Sequence, residues 1–123
     1  MKDVVIVSAC RTAVGSFGGS LKDLHVVHLA STVMKEAVKR AGIDPVVIDD
    51  VRFGNMFEHH TSMNLARVAS IQAGIPYTTN AMTINRVCVS GMEAAVSGMA
   101  MIQAGMVDVV LAGGAEHMSG IAY

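Results

Sequence analysis

The segment Asn85–Gly91, with the sequence NRVCVSG, holds the residue types in this chain that are best suited to chemistry. Cys88 stands between a short apolar run and a longer apolar segment, which predicts a position at a strand-to-helix junction. A thiol at a helix start faces unpaired backbone N–H groups and the positive end of the helix dipole, and both favour the thiolate. The small residues Ser90 and Gly91 leave room for a substrate. The segment is therefore a physically reasonable position for a nucleophilic side chain.

The residues alone leave a second interpretation of Cys88 open. Free cysteines are among the most buried residue types, so Cys88 could equally be a small hydrophobic side chain in a core. A nucleophile also needs a base, which sequence spacing does not identify. The other thiol, Cys10, lies beside a predicted strand end. Two cysteines this far apart predict neither a disulfide framework nor a metal site.

The elements that would position Cys88 alternate between strands and helices. A short helical turn is expected at Asp44-Pro45, since proline is tolerated at the first helical position. The β-α-β-α-β-α-β order predicts an α/β fold with a mostly parallel sheet and right-handed crossovers. The predicted strands are residues 3–9, 51–55, 81–85 and 107–112, and the predicted helices are 26–41, 64–73 and 90–104.

Two of these elements are expected to be buried. Residues 3–9, DVVIVSA, are apolar without alternation, as in a parallel strand that is covered on both faces. The helix at 90–104 is apolar nearly all the way round, with Glu93 as its only charge. Such a helix is expected inside a protein rather than on its surface.

The overall composition also predicts covered apolar surface. Of the 123 residues, 52% are hydrophobic and only 15% are charged, whereas about 25% charged residues is usual. A chain with so little charge is expected either to oligomerise or to be covered by further polypeptide.

Composition and charge disfavour several classes of function. The net charge is −1, no basic run exceeds Lys39-Arg40, and only 4% of residues are aromatic, so nucleic-acid binding is not expected. No apolar run reaches the roughly 18 residues of a membrane span. The N-terminus does not resemble a signal or transit peptide, so we expect a cytoplasmic protein without membrane contact.

The pattern N-x-x-C-x-S-G at Asn85–Gly91, opening an apolar helix, resembles the N-terminal active-site motif of thiolases. Three further segments resemble biosynthetic, acetoacetyl-CoA-type thiolases in unbroken order: VIVSACRTAVGSFGGSLKD, AVKRAGIDPVVIDDVRFGN and AGGAEHMS. The resemblance covers essentially the whole chain. It implies a thiolase-like N-terminal half-domain within an enzyme that is layered α/β/α/β/α. Cys10 stands where thiolases often have alanine, so the resemblance implies a packing role for it.

The resemblance also implies a reaction. Cys88 matches the thiolase cysteine that accepts an acyl group from acyl-CoA, in condensation of acetyl-CoA to acetoacetyl-CoA or in the reverse cleavage. Backbone N–H groups at the helix start could stabilise the oxyanion. Coenzyme A would enter as the thioester substrate, and no separate cofactor or metal is expected. Thiolases are dimers or tetramers, and the strand at 81–85 is expected near the dimer interface.

Parts of the thiolase pattern do not occur in this sequence. The C-terminal motifs Cys-Gly-x-Gly, Gly-His-Pro and Asn-Glu-Ala-Phe, which carry the second cysteine and the catalytic histidines, are missing. Residues 1–119 are therefore interpreted as a partial N-terminal domain, and residues 120–123 as the start of the coenzyme A-binding loop region. The last strand of the half-domain and the other catalytic groups are expected from a remaining polypeptide. The chain alone is expected to be inactive.

The histidines are weaker candidates for catalysis. His59 and His60 replace part of a stretch that is usually small and glycine-rich in thiolases. In a polar loop they are expected to be solvated rather than metal ligands or bases. His25 and His28 are spaced to share a helix face, and His117 lies near a glycine turn. None of the five is expected to take a direct part in the reaction.

Two other classes of function compete with the enzyme. The chain could be a non-catalytic α/β partner-binding fragment, although the intact N-x-x-C-x-S-G pattern argues against that. A nucleotide-binding domain is disfavoured, because the glycines within residues 15–19 lack phosphate-loop spacing. Gly113-Gly114 likewise begins no dinucleotide fingerprint.

Overall fold

A computed structural model describes residues 3–122 of the chain. Met1, Lys2 and Tyr123, at the outer ends of the two predicted regions, lie outside the described residues. Three parallel strands form one sheet in the order β2-β1-β3. This confirms the predicted α/β fold with a parallel sheet. The elements are α1 (Val26–Ala41), β1 (Asp50–Gly54), α2 (Leu65–Gln72), β2 (Asn80–Ile84), α3 (Ser90–Gln103) and β3 (Val110–Gly114), with 3-10 turns at Pro45–Val47 and Met118–Gly120.

The strand predicted at residues 3–9 is wrong for the described chain. The segment forms no sheet pairing, and Ile6 is 88% exposed. It lies along α1 instead, where Ser8 Oγ donates to Ala37 O at 2.8 Å. A cavity of about 1000 Å³ is lined by this segment and by β3. Apolar character alone does not make a strand, because the backbone also needs a neighbouring ladder to pair with. The observed order therefore begins with α1.

The last strand is displaced from its predicted position at 107–112. Asp49 Oδ2 accepts hydrogen bonds from the backbone N–H groups of Asp108 at 2.8 Å and Val109 at 2.9 Å. The bonds from Val109 and then Asp108 lower the pKa of Asp49. Because these two amides bind a carboxylate, the ladder begins only at Val110 and runs on through Gly114.

The helix ends follow local sequence rules. Gly42 ends α1 with a φ of 67°, which glycine adopts without steric cost, and its N–H donates to Lys39 O at 3.1 Å. The Asp44 side chain accepts from Val46 N at 3.0 Å, so the predicted short turn is confirmed. Asn64 caps α2 by accepting from Arg67 N at 3.1 Å.

The core lies between one face of the sheet and the pair α1 and α2. Val51 and Phe53 of β1 are almost fully buried there, together with Met34 of α1 and Leu65 of α2. The alternate residue of β1, Arg52, points to the other face, where its guanidinium donates to Ser97 Oγ of α3 at 3.1 Å. The sheet is therefore covered by α1 and α2 on one side and by α3 on the other.

Full burial of the 90–104 helix is not observed in the described chain. Ser90, Ala94 and Gly98, spaced four residues apart, form the buried face of α3 against the sheet. On other faces of the helix, Met92 is 70% exposed and Val96 is 49% exposed. The sheet can cover only one side of a helix, so the remaining apolar surface of α3 has no cover from residues 3–122.

Candidate active site

Cys88 lies in the turn that connects β2 to α3, two residues before the first residue of the helix. It is exposed, so the structure excludes a role as a buried core side chain within the described residues. No side chain caps the start of α3, whose N-cap position is Val89. An exposed thiol therefore stands just before a 14-residue helix, at the strand-to-helix junction that the sequence predicts.

The turn places Val87, directly before Cys88, in a strained backbone conformation. Val87 has a φ of 52°, in the left-handed region that β-branched residues rarely adopt. Its N–H donates to Asn85 Oδ1 at 3.1 Å, and its carbonyl accepts from Ser90 Oγ at 2.6 Å. Ser90 Oγ also accepts from Arg86 N at 2.8 Å. Side chains on both sides of the turn thus hold the peptide groups that precede the thiol.

Glycine at position 54 allows α3 to approach the sheet at this turn. A Cβ atom on Gly54 would lie 2.5 Å from both Gly91 N and Ser90 C, which is closer than a real Cβ can come. The end of β1 and the start of α3 are therefore in direct backbone contact. This contact brings the start of α3, two residues after Cys88, to the end of β1.

The loops after all three strands meet beside this turn. Asn55 N, just after β1, donates to Ile84 O of β2 at 3.0 Å. Ala115 N, just after β3, donates to Gly54 O at 3.0 Å. The carboxyl ends of parallel strands share one edge of a sheet, which is the usual place for a site in an α/β fold.

The second cysteine is placed elsewhere, against α1. Cys10 is half-buried, and its Sγ donates to Val33 O at 3.2 Å. This contact agrees with the packing role that the sequence predicts for Cys10. The structure does not bring the two thiols together as one site, and both are free.

Two histidines that the sequence treats separately come together. His25 Nε2 lies 3.2 Å from His59 Nδ1, and Thr61 Oγ1 lies 3.0 Å from the first nitrogen and 2.8 Å from the second. His25 does not share a helix face with His28, because it is the N-cap of α1 and its Nδ1 accepts from Val27 N at 3.2 Å. Sequence spacing gives no indication of a contact between residues so far apart in the chain.

The other histidines surround this pair without forming a metal site. His60 stacks on His59 with ring centroids 4.4 Å apart, His28 Nδ1 lies 2.7 Å from Gln72 Nε2, and His117 Nε2 lies 3.0 Å from Leu21 O. Burial lowers the pKa of His25, and the charges of the other four histidines lower it further, that of His59 most. No group of three or more His, Cys, Asp or Glu residues within 3–122 is arranged to hold a metal ion. His59 is half-buried and its Nδ1 lies 3.2 Å from His25 Nε2, so His59 is less solvated than the sequence predicts.

Comparison with known proteins identifies the family. A sequence profile described as "Thiolase, N-terminal domain" matches residues 4–123. The chain belongs to the thiolase family. None of the helices that the structure describes in this thiolase chain has the length and apolar character needed to cross a membrane.

Curated relatives of this thiolase chain are named acetyl-CoA acetyltransferases. The protein from Syntrophomonas wolfei is 48% identical over 117 residues, which are 95% of this chain and 30% of the relative. The one from Cupriavidus necator is 47% identical over 119 residues, or 97% of this chain and 30% of the relative. This thiolase chain thus spans about 30% of the length of these relatives.

Solved thiolase structures have the same fold over the matched part. The acetyl-CoA acetyltransferase of Bacillus anthracis superposes with a TM-score of 0.93 at 44% identity, covering 97% of this chain and 30% of that one. A thiolase from Ascaris suum, solved in complex with coenzyme A, gives a TM-score of 0.89 at 40% identity. That match covers 92% of this chain and 30% of the solved chain.

Proposed function

We propose that this chain contributes the N-terminal part of an acetyl-CoA acetyltransferase, in which Cys88 is the acyl-accepting nucleophile. The observation that carries the proposal is the exposed Cys88 thiol in the turn before α3. Relatives named acetyl-CoA acetyltransferase, at 48% and 47% identity, support the choice of substrate.

The first half of the reaction is attack of the Cys88 thiolate on the carbonyl carbon of an acyl-CoA thioester. The new bond joins Sγ to that carbon, and the bond from the carbon to the coenzyme A sulfur breaks. Coenzyme A leaves with the electron pair of that bond and takes up a proton. In the second half an enolate of another acetyl-CoA attacks the acyl-Cys88 carbonyl and releases the Cys88 thiolate. Covalent catalysis in this way divides one difficult step into two easier ones.

The remaining polypeptide is proposed to supply the base and to cover the apolar surface of this chain. Among residues 3–122 the Cys88 sulfur has no side-chain hydrogen bond to a histidine or carboxylate that could accept its proton. A cavity of about 1000 Å³ beside β3 and the bare faces of α3 provide a large apolar surface for further chain to pack on. We also propose that the complete enzyme is an oligomer. It uses coenzyme A thioesters as substrates and needs no other cofactor.

The proposal is tested by removing each thiol in turn from the complete protein. Cys88→Ala is expected to abolish both condensation of acetyl-CoA and cleavage of acetoacetyl-CoA, because no acyl-enzyme can form. Cys10→Ala is the matched control, since it also removes one thiol but at a packing position, and it is expected to keep most of the activity. Retained turnover in the Cys88→Ala variant would contradict the proposal. Turnover by the 123 residues alone would contradict the proposed need for a remaining polypeptide.

A non-catalytic partner-binding fragment is the second candidate. The bare apolar surface, with Ile6 88% exposed and Met92 70% exposed, favours it. Under this function Cys88→Ala would leave binding to the partner intact. The proposed enzyme, in contrast, would lose its acyl-transfer activity in the same variant. Measuring partner binding and acyl transfer on the same Cys88→Ala preparation separates the two.

A further inference from the structure

The carboxylate of Glu116 binds the loop that follows β1. Its Oε1 accepts from Asn55 Nδ2 at 2.7 Å and from Phe57 N at 3.0 Å, and its Oε2 accepts from Met56 N at 2.9 Å. Two of these donors are successive backbone N–H groups, so one carboxylate fixes the orientation of two peptide units. Hydrogen bonds to an ionised carboxylate are shorter and stronger than neutral ones.

The orientation of this loop is fixed on its buried side as well. Asn55 is 1% exposed, and its Nδ2 also donates to Ala115 O at 3.0 Å. The backbone N–H of Asn55 donates to Ile84 O of β2 at 3.0 Å. The peptide units from 55 to 57 are therefore tied to the ends of both neighbouring strands.

The same loop contacts the turn that carries Cys88. Met56 O accepts a hydrogen bond from Asn85 Nδ2 at 3.2 Å, and Asn85 Oδ1 in turn accepts from Val87 N at 3.1 Å. One amide side chain thus joins the loop to the residue that precedes the thiol. A single chain of contacts runs from Glu116 through Met56 and Asn85 to Val87.

Val87 needs such a restraint to keep its conformation. A β-branched residue at a φ of 52° stays there only where its surroundings hold it. Ser90 Oγ holds the Val87 carbonyl, and Asn85 Oδ1 holds the Val87 N–H. If the Asn85 amide turned, Val87 could relax, and the direction of the following Cα–Cβ bond of Cys88 would change with it.

We propose that Asn85 and Glu116 are positioning residues for Cys88, with Glu116 acting through the 55–57 loop and Asn85 acting directly on the turn. The catalytic importance of this arrangement rests on the proposed function, but the positioning itself does not. Neither residue touches the thiol, so their effect is on where the thiol points and how quickly it reacts.

The test compares alkylation of the two cysteines in the purified full-length protein by limiting iodoacetamide. Peptide mass spectrometry gives the rate at Cys88 divided by the rate at Cys10, and Cys10 serves as an internal reference because it lies against α1. Glu116→Gln replaces one acceptor oxygen by a donor that faces a backbone N–H, and is expected to lower the ratio by about fivefold. The control Glu58→Gln also removes one carboxylate, on an exposed side chain directly after the 55–57 loop, and is expected to leave the ratio unchanged.

A second variant separates positioning from general loss of structure. Asn85→Asp keeps the acceptor for Val87 N but loses the donor to Met56 O, so it is expected to lower the ratio as Glu116→Gln does. If Glu116→Gln does not fold by circular dichroism, Asn85→Asp alone decides. The double variant is expected to fall no further than Asn85→Asp, because both changes break the same chain of contacts.

Three outcomes would overturn the proposal. They are an unchanged ratio in Asn85→Asp, an unchanged ratio in folded Glu116→Gln, and an additive loss in the double variant. Exposure of the unchanged protein to acetyl-CoA provides an independent readout. Failure to acylate Cys88 in that experiment would count against the proposed function, while the alkylation ratio would still decide whether Asn85 and Glu116 position the thiol.

Discussion

Val87 has an unfavourable backbone conformation immediately before the proposed nucleophile. Its φ of 52° costs roughly 1–3 kcal/mol for a residue of this type. The side chain is 60% exposed, so packing of the valine contributes little that could offset the cost. Two hydrogen bonds keep Val87 in this strained conformation: its carbonyl accepts from Ser90 Oγ, and its N–H donates to Asn85 Oδ1. Strain of this kind is common where a reactive group must point in a fixed direction.

Replacing Val87 by glycine is therefore expected to stabilise the fold while impairing the site. Glycine adopts positive φ freely but loses more backbone entropy on folding, so the net gain in free energy of unfolding is about 1 kcal/mol. The looser turn is expected to slow alkylation of Cys88 relative to Cys10. Urea unfolding measures the first effect and mass spectrometry the second. A destabilised variant would show that the Val87 conformation is not strained.

At the scale of elements, the contact between β1 and α3 depends on a glycine. Gly54→Ala would place a Cβ 2.5 Å from Gly91 N and Ser90 C, and backbone atoms cannot move aside cheaply. We expect this substitution to reduce the free energy of unfolding by about 1–3 kcal/mol, as overpacked cores do.

Gly91→Ala is a matched control for that substitution, because it adds the same methyl group on the other side of the contact. A Cβ on Gly91 would have its nearest neighbour at 3.8 Å, which is ordinary van der Waals contact. Alanine is also preferred over glycine within helices by up to about 1 kcal/mol. The control is expected to be neutral or stabilising in the same urea experiment. Equal destabilisation by both variants would contradict a specific close approach at Gly54.

The N-terminus of α1 gives the fold a dependence on pH. His25 caps this helix through Nδ1, which accepts from Val27 N, so protonation of that nitrogen would break the cap. Burial first, and then the neighbouring charges with His59 foremost, lower the pKa of His25. The unfolded chain therefore binds a proton at His25 at higher pH than the folded chain does. The stabilisation that neutral His25 gives the fold is complete above the pKa of His25 in the unfolded chain, about 6.5. It is lost as the pH falls through the lower pKa of His25 in the folded chain.

His25→Asn is expected to remove much of this pH dependence and keep the helix cap, since asparagine is a good N-cap residue without a titrating ring. His28→Asn, three residues further along the chain, is the matched control and should retain the dependence. The measurement is the free energy of unfolding from urea titrations between neutral and mildly acidic pH. A slope in His25→Asn equal to that of the unchanged protein would contradict the assignment.

At the scale of the whole molecule, the chain has more apolar surface than its own elements can cover. The cavity of about 1000 Å³ beside β3, the exposed segment at residues 3–9 and the bare faces of α3 occur together in a chain with only 15% charged residues. Relatives more than three times as long, of which this chain matches 30%, are consistent with further polypeptide on these surfaces.

The sequence predicts the parts of the structure that depend on local interactions. The Gly42 helix end, the turn after Asp44 and the junction that carries Cys88 all follow from residues within a few positions of each other. Each is specified by capping, proline geometry or hydrophobic spacing, which act over one helical turn.

The features that the sequence did not predict depend on distant partners. Residues 3–9 have the composition of a strand, but pairing requires a neighbour that the described chain does not place beside them. The contact of His25 with His59 and the bonds of Glu116 to the loop after β1 join segments that are far apart in the sequence. The late start of β3 likewise depends on the Asp49 carboxylate, about 60 residues away along the chain.

The most direct test of Cys88 as the nucleophile is to find where an acyl group attaches. The complete protein is exposed briefly to acetyl-CoA, quenched in acid, digested and analysed by peptide mass spectrometry. One acetyl group is expected as a thioester on Cys88, and none on Cys10. An acetyl group on Cys10 instead, or turnover of acetyl-CoA with no acyl group on Cys88, would contradict the claim that Cys88 is the nucleophile.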